Sequence, residues 1–153
     1  RRLSDDDGGD DTNARLSYQF PEDGWVIITA TSYDGLSAGS YELLVQEVDA
    51  ADARIVDGEL RAGDPRAIDG RLYDIVRIDA EPGERITAML ESEDFDAFLY
   101  LNFSTGENYD SDDDSAGESN AMIDVAAPRR DTYTLVITSY FGGEGDYTLT
   151  IYR

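Results

Sequence analysis

Slid against itself by about 107 positions, this chain of 153 residues matches its own beginning to its own end. Ser4, Asp5, Asp6 and Asp7 meet Ser111, Asp112, Asp113 and Asp114; Asn13 and Ala14 meet Asn120 and Ala121. Pro21 meets Pro128, and Thr31, Ser32 and Tyr33 meet Thr138, Ser139 and Tyr140. After one deleted position, Gly39, Tyr41 and Leu43 meet Gly145, Tyr147 and Leu149. About fourteen identities in about forty-five positions, in register with turn residues, mean that one fold occurs twice. Only the second copy has a first half, which begins near Arg54. The organisation is therefore a C-terminal half-repeat at 1–47, an acidic linker at 48–53 and a complete repeat at 54–153.

Alternation within the matched segments gives the class of structure. Tyr133, Leu135 and Ile137 point one way while Thr132, Thr134 and Thr138 point the other, and Tyr147, Leu149 and Ile151 alternate with Thr148 and Thr150. A period of two with one apolar side suits antiparallel strands lying on a core. Residues 141–145, with Gly142, Gly143 and Gly145, join the last two strands as a hairpin. Further strands are expected at 71–79, 84–91 and 97–103, separated by the Glu81-Pro82-Gly83 turn and the loop at 92–96. In the first copy strands are expected at 14–20, 24–33 and 40–46, with Val26, Ile28 and Ala30, then Tyr41, Leu43 and Val45, on the apolar side. No segment reads as a helix. The chain is all-β.

Charge and missing residue types narrow the function. The net charge is −22, with 34 acidic residues against 12 arginines and no lysine. A nucleic acid needs clustered cations to displace its counterions, so it is not an expected partner. Membrane insertion is not expected either, because no run reaches the roughly 18 apolar residues that span a bilayer. Without Cys or His, disulfides, thiolate nucleophiles and triads built on His are out of reach. Carboxylate pairs are the remaining acid-base chemistry, and no Asp-Thr-Gly or Asp-Ser-Gly signature occurs. The expectation is that the chain is not an enzyme.

A family resemblance follows from the order of short motifs in the complete repeat. Asp57-Gly58-Glu59-Leu60, Gly63-Asp64, Leu72-Tyr73-Asp74, Pro82-Gly83-Glu84, Asp94-Phe95-Asp96-Ala97-Phe98-Leu99, Asp112-Asp113-Asp114 and Gly145-Asp146-Tyr147 come in sequence over a hundred residues. In that order they resemble the bacterial pre-peptidase C-terminal (PPC) domain, with one complete copy and the C-terminal half of another. The resemblance implies jelly-roll-like antiparallel β-sandwich repeats on a secreted, extracellular or cell-surface protein, without catalytic activity. Related collagen-binding modules bind calcium and substrate, so the resemblance implies both roles as candidates.

The acids offer a place for calcium. Tracing the strands up and down brings the 92–96 loop, the 110–114 run and the 144–146 loop to one end of the sandwich. Converging carboxylates supply the oxygen ligands that calcium takes. Asp96, Asp112, Asp113 and Asp114 are the first candidate ligands, Asp94 and Asp110 the next, and Asp5, Asp6 and Asp7 mark a second site in the first copy. An Asp-rich turn that binds its own backbone is the alternative. Trp25, Tyr33, Tyr140 and Tyr152 fall on the outward parity and offer stacking surfaces to a polysaccharide or a protein. The expected function is a structural protein of the cell exterior that self-associates through its incomplete first repeat, polymerising into a filament by strand complementation. The alternative is a module that targets a secreted peptidase or other hydrolase to its substrate or to a surface.

Overall fold

The computed structural model of the chain describes residues 4–6, 13–16, 18, 24–45, 53–117 and 119–152. The complete repeat contains eight strands: β1 (Arg54–Leu60), β2 (Tyr73–Ala80), β3 (Arg85–Glu91), β4 (Ala97–Asn102), β5 (Asn108–Asp112), β6 (Ala121–Ala126), β7 (Asp131–Ser139) and β8 (Gly145–Tyr152). They form two four-stranded sheets, in the orders β1-β8-β3-β6 and β2-β7-β4-β5. Every pairing is antiparallel. The described residues contain no helix.

The period-two pattern explains the layers. Leu99 and Leu101 of β4, Leu135 and Ile137 of β7 and Leu149 of β8 are fully buried between the sheets. Alternate positions on the same strands remain partly exposed, as for Phe98, Tyr100, Thr134 and Thr148. Two threonines differ in exposure from the other alternate positions. Thr138 and Thr150 were expected to face water, yet both are buried. The Thr138 hydroxyl donates to the Leu72 carbonyl at 2.6 Å, so the chain arriving at β2 covers it. The expected start of β2 at residue 71 also shifts, because Arg66 and Leu72 form a separate bridge before the strand begins.

Strand order carries a further regularity. Call β1–β4 the first half of the repeat and β5–β8 the second. In both sheets the halves alternate strictly, so every strand of the second half is hydrogen-bonded only to strands of the first. The second half contains no strand pair of its own.

The first copy matches such a second half in sequence, and among its described residues no strand is formed. Residues 24–45 show one turn near Tyr33 and Asp34 and no strand. Asp34 closes that turn, accepting from the Leu36 and Ser37 amides at 2.9 Å. Tyr41, Leu43 and Val45 are 76, 54 and 68% exposed, whereas their counterparts Tyr147, Leu149 and Ile151 are 6, 0 and 1% exposed. A strand needs a ladder partner for its backbone groups, and in the complete repeat every strand of this half takes its partners from β1–β4. Residues 46–52, most of the expected linker, lie outside the described residues, as do the strand ends at 17 and 19–20.

Candidate functional site

The loops expected to converge do so. At one end of the sandwich the loop between β3 and β4 packs on the hairpin between β7 and β8: Ser92 Oγ donates to the Asp146 carbonyl at 2.7 Å, and the Asp146 amide donates to Asp94 Oδ2 at 2.9 Å. The fit is close enough to require glycine at position 145, where φ is +146° and a Cβ would lie 2.2 Å from that of Asp94. From the third segment, the charge of Asp113 reaches both Asp96 and Asp112.

Convergence does not make these acids equivalent. Asp112 Oδ2 accepts from the Met122 amide at 2.7 Å and the Ser115 amide at 3.1 Å, tying the turn after β5 to the start of β6. Burial pushes its carboxyl above the usual range, against the opposing pull of these donors. Asp94 likewise serves a backbone amide, and Asp110 accepts from the amide of its neighbour Ser111 at 3.0 Å. The Asp114 carbonyl accepts from the Gly117 amide at 2.9 Å. Asp96 is raised first by burial and then by the negative charge of Asp113. Among the described residues no group of three or more carboxylates is arranged to hold a metal ion. In the first copy Asp5 Oδ2 accepts from the Arg15 amide at 2.7 Å. Asp7 lies outside the described residues.

Next to this acidic corner, on the outer face of the β2-β7-β4-β5 sheet, four rings form a row. Tyr100 and Phe98 of β4 have centroids 4.4 Å apart, Phe98 and Tyr140 are 5.6 Å apart, and Tyr140 and Phe141 follow at 4.8 Å. Phe141 is 83% exposed and Tyr140 45%. The Tyr140 amide donates to the Asp96 carbonyl at 2.8 Å, joining the row to the acidic corner. At the other end the Arg71 guanidinium lies 5.3 Å from the Phe98 centroid and 5.8 Å from that of Tyr100. It donates to the Tyr100 hydroxyl at 2.8 Å and is held by Asp69 at 2.7 Å. Rings on an open sheet face present flat apolar area beside fixed polar groups, which suits stacking on sugar rings or on peptide planes.

Of the aromatic candidates read from parity, Tyr140 belongs to this row. Trp25 and Tyr33 are exposed but sit outside any strand, so parity does not describe them. Tyr152 lies on the opposite sheet, half-buried, its phenol raised first by burial and then by the Glu91 charge. Phe98, Tyr100, Phe141 and Arg71 escaped the sequence reading. The alternation of Ala97, Leu99 and Leu101 already implied that Phe98 and Tyr100 face outward. The approach of Arg71, from before β2, had no local signal.

These features define a class: a two-layer antiparallel sandwich whose distinguishing surface is an aromatic row beside an acidic corner. The fold is PPC-like. One similar solved structure is the pre-peptidase C-terminal domain of a collagenase from Bacillus anthracis, with a TM-score of 0.51 and 17% sequence identity, covering 64% of this chain and 87% of that one. Another is PliG of Aeromonas hydrophila, a periplasmic inhibitor of g-type lysozyme, at a TM-score of 0.47 and 16% identity, covering 71% of this chain and 91% of that one. No protein-family model matches the sequence, and no curated protein does. No helix among the described residues is long and apolar enough to cross a membrane.

Proposed function

We propose that this chain is a non-catalytic accessory module of a secreted peptidase or other hydrolase, which holds its enzyme against an insoluble polymer or a surface outside the cell. The observation that carries this reading is the row Tyr100, Phe98, Tyr140 and Phe141 on the outer sheet face, capped by Arg71. The PPC-like fold, seen on a domain of a collagenase, favours the accessory role over the polymerising, structural role. A net charge of −22 disfavours anionic polymers, leaving neutral or basic fibrous proteins and neutral polysaccharides.

The test is retention of the protein on insoluble fibrous protein and on insoluble neutral polysaccharide. Retention on one of them is expected, and Tyr140→Ala combined with Phe141→Ala should lower it at least about tenfold, the equivalent of about 1.4 kcal/mol, without moving the melting temperature. Retention on neither, or retention unchanged in the double variant, defeats the reading.

Calcium is a second proposal at the adjoining corner. Asp96 is raised first by burial and then by the charge of Asp113, and a divalent cation between the two would relieve that repulsion. Binding to the folded state alone raises the melting temperature. A rise in millimolar calcium that Asp96→Asn abolishes is the expected result. Identical transitions in calcium and in chelator remove the ion from the account.

A further inference from the structure

Four asparagines occur in the chain, at 13, 102, 108 and 120, against 23 aspartates. Of the four, only Asn102 has a hydroxyl residue two positions on, in the run Asn102-Phe103-Ser104. That spacing, with a residue other than proline in the middle, is the acceptor pattern for N-linked saccharides. Three-residue patterns arise by chance, and what distinguishes this one is its place in the fold.

Asn102 closes β4, and the alternation of that strand puts it on the outer face with Phe98 and Tyr100, opposite the fully buried Leu99 and Leu101. Its partners across the sheet are Thr134 on β7 and Asn108 on β5, both polar. Phe103 packs against the core and anchors the run: its ring centroid lies 5.0 Å from that of Tyr109 and 5.6 Å from that of Tyr133, and the Arg129 guanidinium sits 3.9 Å from it. Ser104 follows in the turn, where its amide reaches Asp131 Oδ2 at 3.4 Å. Gly106, at φ +84°, lets the chain reverse, and its amide donates to the Phe103 carbonyl at 2.9 Å. Residues 104–108 are all exposed. The pattern therefore lies at the tip of the β4–β5 hairpin, open to a partner from outside.

The side-chain amide of Asn102 is used on one side only. Its Oδ1 accepts from Asn108 Nδ2 at 3.1 Å, and Asn108 Nδ2 also donates to the Asp110 carbonyl at 2.9 Å. Among the described residues the Nδ2 of Asn102 has no acceptor. An oxygen is all that the hairpin takes from position 102, and aspartate, far commoner in this chain, supplies one equally well. The nitrogen is the part of Asn102 for which the fold has no use.

We propose that Asn102 is the acceptor of an N-linked saccharide, attached as the chain crosses a membrane on its way out of the cell. The co-reactant is a saccharide carried on a lipid phosphate or pyrophosphate. Nδ2 forms a bond to the anomeric carbon of that sugar, the bond from this carbon to the phosphate oxygen breaks, the lipid phosphate leaves with the electron pair, and Nδ2 gives up one proton. The product fits the fold, because Asn102 keeps the Oδ1 that serves Asn108. The sugar projects from the outer face beside the exposed residues 104–108, beyond the Tyr100 end of the aromatic row. The attachment rests on the extracellular location in the reading above and not on its binding surface.

The experiment secretes the chain from a eukaryotic host whose pathway transfers saccharides to this pattern, which imposes the location and leaves the site alone in question. Cleavage after arginine releases residues 86–129 as one peptide. Its mass is compared before and after an amidase that removes N-linked sugars and leaves an aspartate in place of the asparagine. The expected result is a peptide heavier by whole sugar units, with the amidase mark at 102 and not at 108 or 120, and with the extra mass lost in Asn102→Gln and in Ser104→Ala. Ser104→Ala keeps Asn102 and its bond to Asn108, and a melting temperature equal to that of the amidase-treated chain shows that its loss of sugar is not a loss of fold. A peptide secreted bare overturns the proposal, as does one that still carries sugar in Ser104→Ala. Retention on insoluble polymers, which tests the accessory module, is read separately, so either reading fails without the other.

Discussion

The phenol of Tyr147, on β8 of one sheet, donates across the core to Asp74 Oδ2, on β2 of the other, at 2.8 Å. Burial, followed by this bond, pushes the Tyr147 hydroxyl far above the usual phenol range. Tyr147→Phe leaves the Asp74 carboxylate without its donor, which should cost about 1 to 3 kcal/mol. Adding Asp74→Ala to Tyr147→Phe should cost less than the sum of the two single changes, and denaturant unfolding of the four proteins checks the coupling. Additive effects would mean that the two sheets are not held by this pair.

Gly58 on β1 lies beneath the same ring. A Cβ there would come within 2.3 Å of Tyr147 Cζ and Oη, and the ring cannot shift away without disturbing the hydrogen bond of its hydroxyl to Asp74. Gly58→Ala should therefore destabilise by about 1 to 3 kcal/mol, in the range of an overpacked core. Combined with Tyr147→Leu, which removes the obstruction, the alanine should cost much less. Thermal melts of the single and double variants decide this.

Asp112 acts as a latch, and its pH dependence has a definite sign. Asp112→Ala removes the acceptor for the Ser115 and Met122 amides and should cost about 1 to 3 kcal/mol at neutral pH, while Asp112→Asn, which keeps an oxygen, costs less. Because burial raises the folded-state pKa above the ordinary 3.8, the charged form is disfavoured by folding. The stability of the native chain relative to Asp112→Asn should thus be constant well above the raised value, grow as pH falls through it, and level off below about 3.8. Unfolding curves across the acid range would show the opposite slope if the amide donors outweighed burial.

Strand β7 tests the parity of the sheet. Leu135→Ala, fully buried, should cost about 2 to 5 kcal/mol, and the partly exposed Thr134→Ala well under 1. Thr138→Ala should fall between them, since it leaves the Leu72 carbonyl without the buried hydroxyl that serves it at 2.6 Å. Equal costs at 134 and 135 would place the strand in the wrong register.

Much of the architecture was legible because its causes are local. Tyr133, Leu135 and Ile137 alternate with polar neighbours, so their strand and its buried side follow from a period of two. The repeat also matches Asp5 to Asp112, and each of these carboxylates accepts from the amide ten residues further on. The roles of the acids were less legible. Ser115 and Met122 stand three and ten residues from Asp112, and only the closed turn shows that its carboxylate is engaged by their amides. The aromatic row depended on which strands become neighbours: Phe98 and Tyr140 meet because β4 pairs with β7, a relation that periodicity within either strand does not contain.

By itself, then, the sequence determined the elements: strand class, the inward side of each strand, the repeat and the absence of thiol and imidazole chemistry, all properties of residues within a few positions of one another. The tertiary structure alone decided the order β1-β8-β3-β6 and β2-β7-β4-β5, and with it the fate of residues 24–45. Those residues have the composition of strands, but a strand is stable only when a second one satisfies its backbone groups and covers its apolar side. In this fold those partners always come from the other half of the repeat, so the same sequence pattern is a buried sheet at 131–152 and exposed chain at 24–45.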